Sequence, residues 1–259
     1  MEERKEKEIE FHNFLRNLKE GTEEHKRYTS NTKFYAVTRC SIAYVEDWLR
    51  KHCRPGKKVL EYGCGTGSFS FFLASLGAHV TGIDISDVGI RQATEAAKEK
   101  GLSQNTKFLV MDAEATTFPD NSFDVICTAG VLHHLDRAKA FPDMARILKP
   151  DGAAIATEPL AHNPFIQAYR KLTPHLRTEF EAEHILHARK DIALAKKYFN
   201  RVEVRFFHHA TLLTVPFRKL PFFSQLLSAM EKVDAVLLKV PYIRRHAWMM
   251  VFVLSEPKK

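Results

Sequence analysis

The chain has 259 residues, 45% of them hydrophobic and 27% charged, with a formal net charge of +8 and a pI near 9.3. That length and composition fit one globular domain with insertions, and nowhere do about 18 apolar residues follow one another as a spanning helix needs. The opening MEERKEKEIE lacks a signal-peptide core, and Cys40, Cys53, Cys64 and Cys127 form no CxxC pair, so the expectation is a cytoplasmic protein with reduced thiols. Basic residues are mixed with acidic ones and no arginine-rich tract or RNA-binding module is present. A solvated basic surface is therefore the first reading of the charge, membrane-surface affinity the second, and nucleic acid is not expected as a partner.

Taken in order, Ile9, Phe11, Phe14, Leu15 and Leu18 predict an amphipathic helix that Gly21 ends, and a polar and aromatic stretch from Tyr28 to Tyr35 follows. A helical pattern resumes from Ile42 to Trp48, and Arg54-Pro55-Gly56-Lys57-Lys58 turns into the apolar run Val59-Leu60. That run ends in Glu61-Tyr62-Gly63-Cys64-Gly65-Thr66-Gly67, with glycines at three alternate positions. Such a turn lets a ligand approach the backbone. Its spacing is neither the phosphate-cradling GxxxxGK[ST] nor the dinucleotide GxGxxG.

Next come a helix from Ser68 to Leu76, a strand from His79 to Asp84, and a helix from Val88 to Lys100 that Gly101 ends. The strand Thr106 to Met111 runs into Asp112-Ala113-Glu114, and the strand ending at Thr128 runs into Ala129-Gly130-Val131-Leu132-His133-His134. A helix from Ala138 to Leu148, the turn LKPDG and a strand from Ala153 to Thr157 complete the pattern. Repeated strand and helix pairs from Val59 onward predict a parallel sheet covered on both faces.

EYGCGTG, then GIDIS, the acidic end of the next strand and the LKPDG turn, in that order, resemble class I S-adenosylmethionine (SAM) dependent methyltransferases over roughly residues 57–158. The small-molecule and ubiquinone-biosynthesis branch is the nearest in kind. The resemblance implies an α/β, Rossmann-like seven-stranded sheet, mostly parallel, with helices on both faces, an antiparallel last strand and helical cap insertions. The final hairpin would fall at Arg201 to Phe207 and Ala247 to Leu254. It also implies cofactor contacts at Glu61, Gly63, Cys64, Gly65 and Gly67. Asp84 and Ile85 would meet the ribose, near the ~20-residue offset of a ribose carboxylate. Asp112 and Ala113 would border the adenine, and Gly130 would lie at the fourth strand end.

His133 or His134 is placed near the transferred methyl, where an imidazole suits proton removal. The alternatives are cofactor contact or helix capping, and in an extended segment two adjacent histidines cannot both face one small site. Acceptor contacts are expected from Tyr28, Tyr35, Glu158, Tyr169, Arg170, Arg177 and His184, the arginines suiting a carboxylate or phosphate. Glu181, Glu183, His184 and His187 have helical spacings without an HExxH pattern, so no metal is expected.

The predicted organisation is a helical cover over 1–56, a SAM-binding core over 57–158, substrate-cap insertions at 159–200 and 216–245, and C-terminal strands at 201–215 and 246–259. The second insertion mixes Phe222, Phe223, Leu226, Leu227, Met230, Val233, Leu237 and Val240 with Lys219, Lys232, Lys239, Arg244 and Arg245. Packing against the domain, a pocket lining, a dimer contact and peripheral membrane contact all fit it. The expected activity is methyl transfer from SAM to a small or medium-sized organic acceptor, hydrophobic or lipid-like, by a monomer or homodimer, releasing S-adenosylhomocysteine. An RNA or protein acceptor is the alternative, although no NPPY or DPPY motif follows the fourth strand. A non-catalytic SAM-binding regulatory protein is the reading from another class.

Overall fold

The computed structural model describes residues 3–259, and the first two residues of the expected 1–56 cover lie outside the described residues. Strand β1 (Lys58–Tyr62) is buried from Val59 to its end, as a run of large apolar side chains requires at the centre of a sheet. It pairs in parallel with β2 (His79–Asp84) on one side. Beyond β2 lies β3 (Thr106–Val110), and on the other side of β1 lies β4 (Phe123–Ala129), also parallel. Outside β4 runs β5 (Leu148–Pro159). Strand β6 (Phe199–Phe207) forms the far edge, and β7 (Met249–Pro257) inserts antiparallel between β5 and β6. The order β3-β2-β1-β4-β5-β7-β6 reverses between β1 and β4, so the carboxyl ends of these two strands open a crevice.

The helices before the sheet are α1 (Glu3–Asn17), α2 (Glu23–Tyr28) and α3 (Arg39–His52). Those between the parallel strands are α4 (Ser68–Ser75), α5 (Asp87–Glu99) and α6 (Arg137–Ile147). After β5 come α7 (Pro164–Leu172), α8 (Glu179–His184) and α9 (Ala188–Tyr198), and between β6 and β7 lie α10 (Phe223–Leu237) and α11 (Pro241–Arg244).

Alternate strand residues feed two layers. Leu60, Ile126, Ala156 and Phe252 pack with Phe141 and Met144 of α6 and Ala195 of α9. Their neighbours Val59, Val125, Ile155 and Val251 pack with Leu49 of α3 and Leu73 of α4. A third cluster, Val37, Ile166, Leu212, Val215, Leu227, Trp248 and Met249, gathers segments outside the sheet into one cap.

The seven strands and the antiparallel last strand agree with the expectation. Boundaries differ in three informative places. Helix α1 begins at Glu3 rather than Ile9, because its first turns are held by ion pairs to the sheet edge, not by apolar burial. The stretch after β6 does not stay extended: His208 takes a left-handed φ of 65° and Ala210–Phe217 coils into a 3₁₀ segment. Helix α9 packs on the core through buried Ala188 and Ala195, so only the first part of the 159–200 insertion stands outside it.

Candidate active site

The glycine turn after β1 is built for close approach. Gly63 has φ 63°, and a Cβ there would lie 2.4 Å from Val131 Cγ2. Gly67, with φ 83°, starts α4 and has no room for a Cβ beside Phe71, Ala93 and Phe108. Asp84, at the end of β2, is buried and already used by the backbone: Gly65 N–H donates to Oδ2 at 2.8 Å and Ser86 N–H to Oδ1 at 2.8 Å. Asp112 Oδ1 likewise accepts the Glu114 N–H at 2.8 Å. Each carboxylate is therefore fixed in orientation, with an oxygen aimed at the space above the strand ends.

That space is a cavity of about 210 Å³ between the sheet edge and α1. Of the residues expected to hold a cofactor, Gly63, Asp84, Ile85, Asp112, Ala113 and Gly130 line it. Glu61, Cys64, Gly65 and Gly67 do not. Glu61 is buried behind the turn, accepts a hydrogen bond from Ser70 Oγ, and is pushed by burial up to about 8. Cys64 is buried against Gly82, the Gly65 N–H is committed to Asp84, and Gly67 serves helix packing.

The roof was not anticipated. Arg4, Glu8, His12 and Arg16 recur every four residues on α1 and face the cavity together with Lys5. Arg16 Nη2 donates to Asp84 Oδ2 at 3.0 Å, Lys5 Nζ to Asp112 Oδ2 at 2.6 Å, and Arg4 Nη2 to Glu114 Oε1 at 2.6 Å. Arg16 Nη1 is buried with no hydrogen-bond partner among the described residues. The polar four-residue period was present in the sequence, but a search for apolar periodicity passes over it.

A second cavity of about 320 Å³ adjoins the first, sharing His12, Ala129, Gly130 and His134 with it. Phe34, Tyr35, Tyr169, Ile166, Trp248 and Met249 supply apolar and aromatic walls, and His133, Arg170, Arg177 and Glu181 the polar ones. The segment after β4 is not extended. Leu132–His134 is a 3₁₀ turn, in which successive side chains diverge less than across a strand, and both histidines line this cavity with ring centres 4.2 Å apart.

His133 Nδ1 lies 2.7 Å from Glu158 Oε2, and Glu158 Oε1 accepts the N–H groups of Val131 and Leu132 at 2.9 and 2.8 Å. Glu158 is fully buried beneath His133 and does not line the cavity, which corrects its expected acceptor contact. Burial pushes Glu158 up to about 7; burial and then the Arg170 charge push His133 down to about 3. His134 Nδ1 pairs with Glu8 Oε2 at 3.0 Å, and burial, then His133, lowers its pKa.

Tyr35, Tyr169, Arg170 and Arg177 stand at the second cavity as expected. Tyr28 and His184 do not: Tyr28 packs edge-on against Phe14 and His175, and His184 stacks on Phe180. Arg177 spends Nη1 on the carbonyls of Arg170 and Thr173 at the end of α7, whereas Arg170 Nη1 is buried with no hydrogen-bond partner among the described residues. Ligand-capable atoms of Glu8, His12 and His134, and of His133, His134 and Glu181, gather within 4.8 Å. In both sets the imidazoles already share a nitrogen with a carboxylate.

Residues 60–156 match the family described as "Methyltransferase domain". Among curated relatives, phosphoethanolamine N-methyltransferase 1 of Arabidopsis thaliana is 34% identical over 151 residues, covering 57% of this chain and 30% of that protein. The ubiquinone/menaquinone biosynthesis C-methyltransferase UbiE of Shewanella halifaxensis is 38% identical over 110 residues, covering 40% of this chain and 43% of that protein. The chain thus spans well under half the length of these relatives. Among solved structures, a phosphoethanolamine N-methyltransferase 2 of Haemonchus contortus, in complex with phosphomonomethylethanolamine and S-adenosylhomocysteine, superposes with a TM-score of 0.56. It is 22% identical, over 79% of this chain and 50% of that one, a likeness of fold.

Proposed function

We propose that this chain, whose core is a class I methyltransferase domain, transfers a methyl group from SAM in the first cavity to a small or medium-sized organic acceptor in the second. The observation that carries this reading is the shared wall at Ala129, Gly130 and His134: two cavities of different chemistry meet at one strand end. The residues of the first cavity fit the cofactor. Asp84 and Asp112 present oriented carboxylate oxygens for ribose hydroxyls and an adenine amino group, and Gly63 leaves the backbone open.

SAM supplies a sulfonium methyl that is already electrophilic. The protein's part is alignment, exclusion of water and, for a protonated acceptor, removal of a proton. His133 is placed for the last. The N–H groups of Val131 and Leu132 steady Glu158, and above about 7, where its carboxyl has lost its proton, Nδ1 of His133 donates to it. Nε2 then keeps its lone pair toward the acceptor cavity, and low basicity keeps the ring neutral until it accepts the acceptor's proton. Tyr35, Tyr169, Arg170 and Arg177 position the acceptor. No step requires a metal.

In this reading α1 and the segments to residue 56 form the cover, and the insertions after β5 and β6 form the acceptor side. Membrane-surface contact through 216–245 accords with the exposed residues there, and among the described residues no helix is long and apolar enough to cross a membrane. The deciding experiment incubates the protein with methyl-labelled SAM and a metabolite extract, followed by mass spectrometry. Label in an organic small molecule, with release of S-adenosylhomocysteine, is expected. Tight S-adenosylhomocysteine binding without label transfer would favour a regulatory SAM-binding protein, and label in RNA or protein would overturn the acceptor class.

A further inference from the structure

The cap is firmly built. The 3₁₀ segment Ala210–Phe217 and α10 bury Leu212, Val215 and Leu227 against Ile166, Trp248 and Met249. Asp234, buried on α10, accepts the N–H groups of His209, Ala210 and Thr211 at 3.1, 2.6 and 3.2 Å, tying the two segments together. This attachment uses one face of α10.

The same helix carries a second apolar stripe, part of which is exposed. Leu226, Met230, Val233 and Leu237 recur at steps of three and four residues, Val236 adjoins them and Val240 follows the helix. Leu226, Met230 and Leu237 are half-buried beside Leu227 and Asp234, while Val233 and Val236 are exposed, Val236 at 64%. Leu213, Phe217, Leu220 and Phe222 before the helix and Tyr242 after it are exposed as well. Single exposed apolar residues are ordinary, but a concentration of large ones in one stretch marks a contact surface.

Charge identifies the partner. Residues 213–245 hold six basic side chains, Arg218, Lys219, Lys232, Lys239, Arg244 and Arg245, and two acidic ones, Glu231 and Asp234. Both acids are used internally: Glu231 is clamped by Arg39 at 2.6 and 2.5 Å, and Asp234 is buried under the cap. What the stretch offers outward is apolar surface beside positive charge. That combination suits an anionic lipid surface, whereas a second copy of the same face would oppose like charges.

The start of the same stretch, Leu213 to Arg218, borders the acceptor cavity. A groove of about 380 Å³ runs between α7 and the 3₁₀ segment, lined by Phe165, Leu213, Pro216 and Arg218 among others, and its inner wall is Phe34 and Ile166. Those two residues also line the acceptor cavity. One side-chain layer, Phe34 and Ile166, therefore separates a groove lined by Leu213, Pro216 and Arg218 from the acceptor cavity.

We propose that this face rests on an anionic membrane surface and that the acceptor is an amphiphile taken from it, its apolar part in the groove and its reactive head beyond Phe34 and Ile166. The docking stands on the surface alone, while the acceptor class rests on the methyltransferase reading.

The test is co-flotation of the full chain with vesicles of phosphatidylcholine alone and of phosphatidylcholine mixed with phosphatidylglycerol. Val233→Asp/Val236→Asp and Lys232→Glu/Lys239→Glu serve as variants, since these side chains are exposed. Wild type should float with the anionic vesicles, and neutral vesicles, high salt or either variant should reduce recovery by about ten-fold or more. Unchanged melting temperature and S-adenosylhomocysteine affinity in the variants would show that the fold and the cofactor site are intact. Absence of flotation on anionic vesicles, undiminished flotation of the aspartate variant, or a solution dimer that this variant dissociates would each overturn the docking. With methyl-labelled SAM and vesicles of total lipid extract, label in the organic phase is expected. Label only in water-soluble products would overturn the amphiphile while leaving the methyltransferase reading intact.

Discussion

Glu158 holds His133 from beneath, Oε2 to Nδ1 at 2.7 Å, while its other oxygen is pinned by the N–H groups of Val131 and Leu132. The pair converts a buried imidazole of low basicity into an oriented one, and the orientation depends on which side of the contact holds the proton.

Glu158→Gln tests that dependence. The two backbone donors would claim the amide oxygen, so the amide NH₂ would face Nδ1 and donate to it. His133 would then carry its proton on Nε2 and have nothing to accept with. The expected result is a fall in kcat of ~10²–10⁴ with little change in KM or S-adenosylhomocysteine affinity. The pH profile carries a second signature. Glu158 loses its proton at about 7, so kcat should rise with pH through that value in the wild type. In Glu158→Gln this limb should disappear; a limb that persists would assign it to another group.

Asp84 connects the cofactor cavity to its roof. Asp84→Ala removes an oriented charged acceptor, and titration calorimetry should show S-adenosylhomocysteine binding weakened by about 10- to 100-fold. Arg16→Met should have the opposite sign, because Arg16 and a ribose would compete for Asp84 Oδ2. A several-fold tightening is expected, with less dependence on salt. A ten-fold loss would instead make Arg16 part of the binding site.

Gly63→Ala tests the tight turn. The new methyl meets Val131 at 2.4 Å and forces a non-glycine residue to φ 63°. Destabilisation of about 1–3 kcal/mol is expected in urea unfolding. Adding Val131→Ala should restore the part due to the clash and leave the part due to backbone strain.

The sheet was legible in the sequence because each buried strand is a compact apolar run bounded by a turn, and the glycines and Asp84 locate the strand ends that face the ligand. The turn at Leu132–His134 was not legible, since six residues without periodicity read equally well as an extended strand end. The role of Glu158 was hidden for another reason. Its position at the end of β5 suggested an acceptor contact, but only the fold shows that a β4 loop folds over it and takes all three hydrogen bonds. Among the cap residues, Tyr35 and Arg170 were found by residue type, while nothing in the sequence singled out Phe34 and Trp248. They become cavity walls only because segments far apart in sequence meet in one cluster.

Asp124, at the opposite end of the sheet from the site, gives a stability prediction independent of function. Its carboxylate accepts the Lys58 N–H at 2.9 Å and the ammonium groups of Lys57 and Lys149 at 3.0 and 2.9 Å, joining the starts of β1, β4 and β5. Burial raises its pKa, but these three donors outweigh it and hold the group at about 2. An unfolded aspartate titrates near ~3.9, so the folded pKa is depressed. The associated stability is present above that value and is lost as pH falls through about 2. Because both lysines are partly solvated, the contribution is about 1 kcal/mol rather than the full worth of a buried pair. Asp124→Asn should lower unfolding stability by about that amount at neutral pH. The deficit should shrink as pH is lowered toward 2, and chemical denaturation of wild type and variant at matched pH would measure it. A deficit that stayed constant across the range would mean that the oxygens act as neutral hydrogen-bond acceptors and the charge contributes nothing.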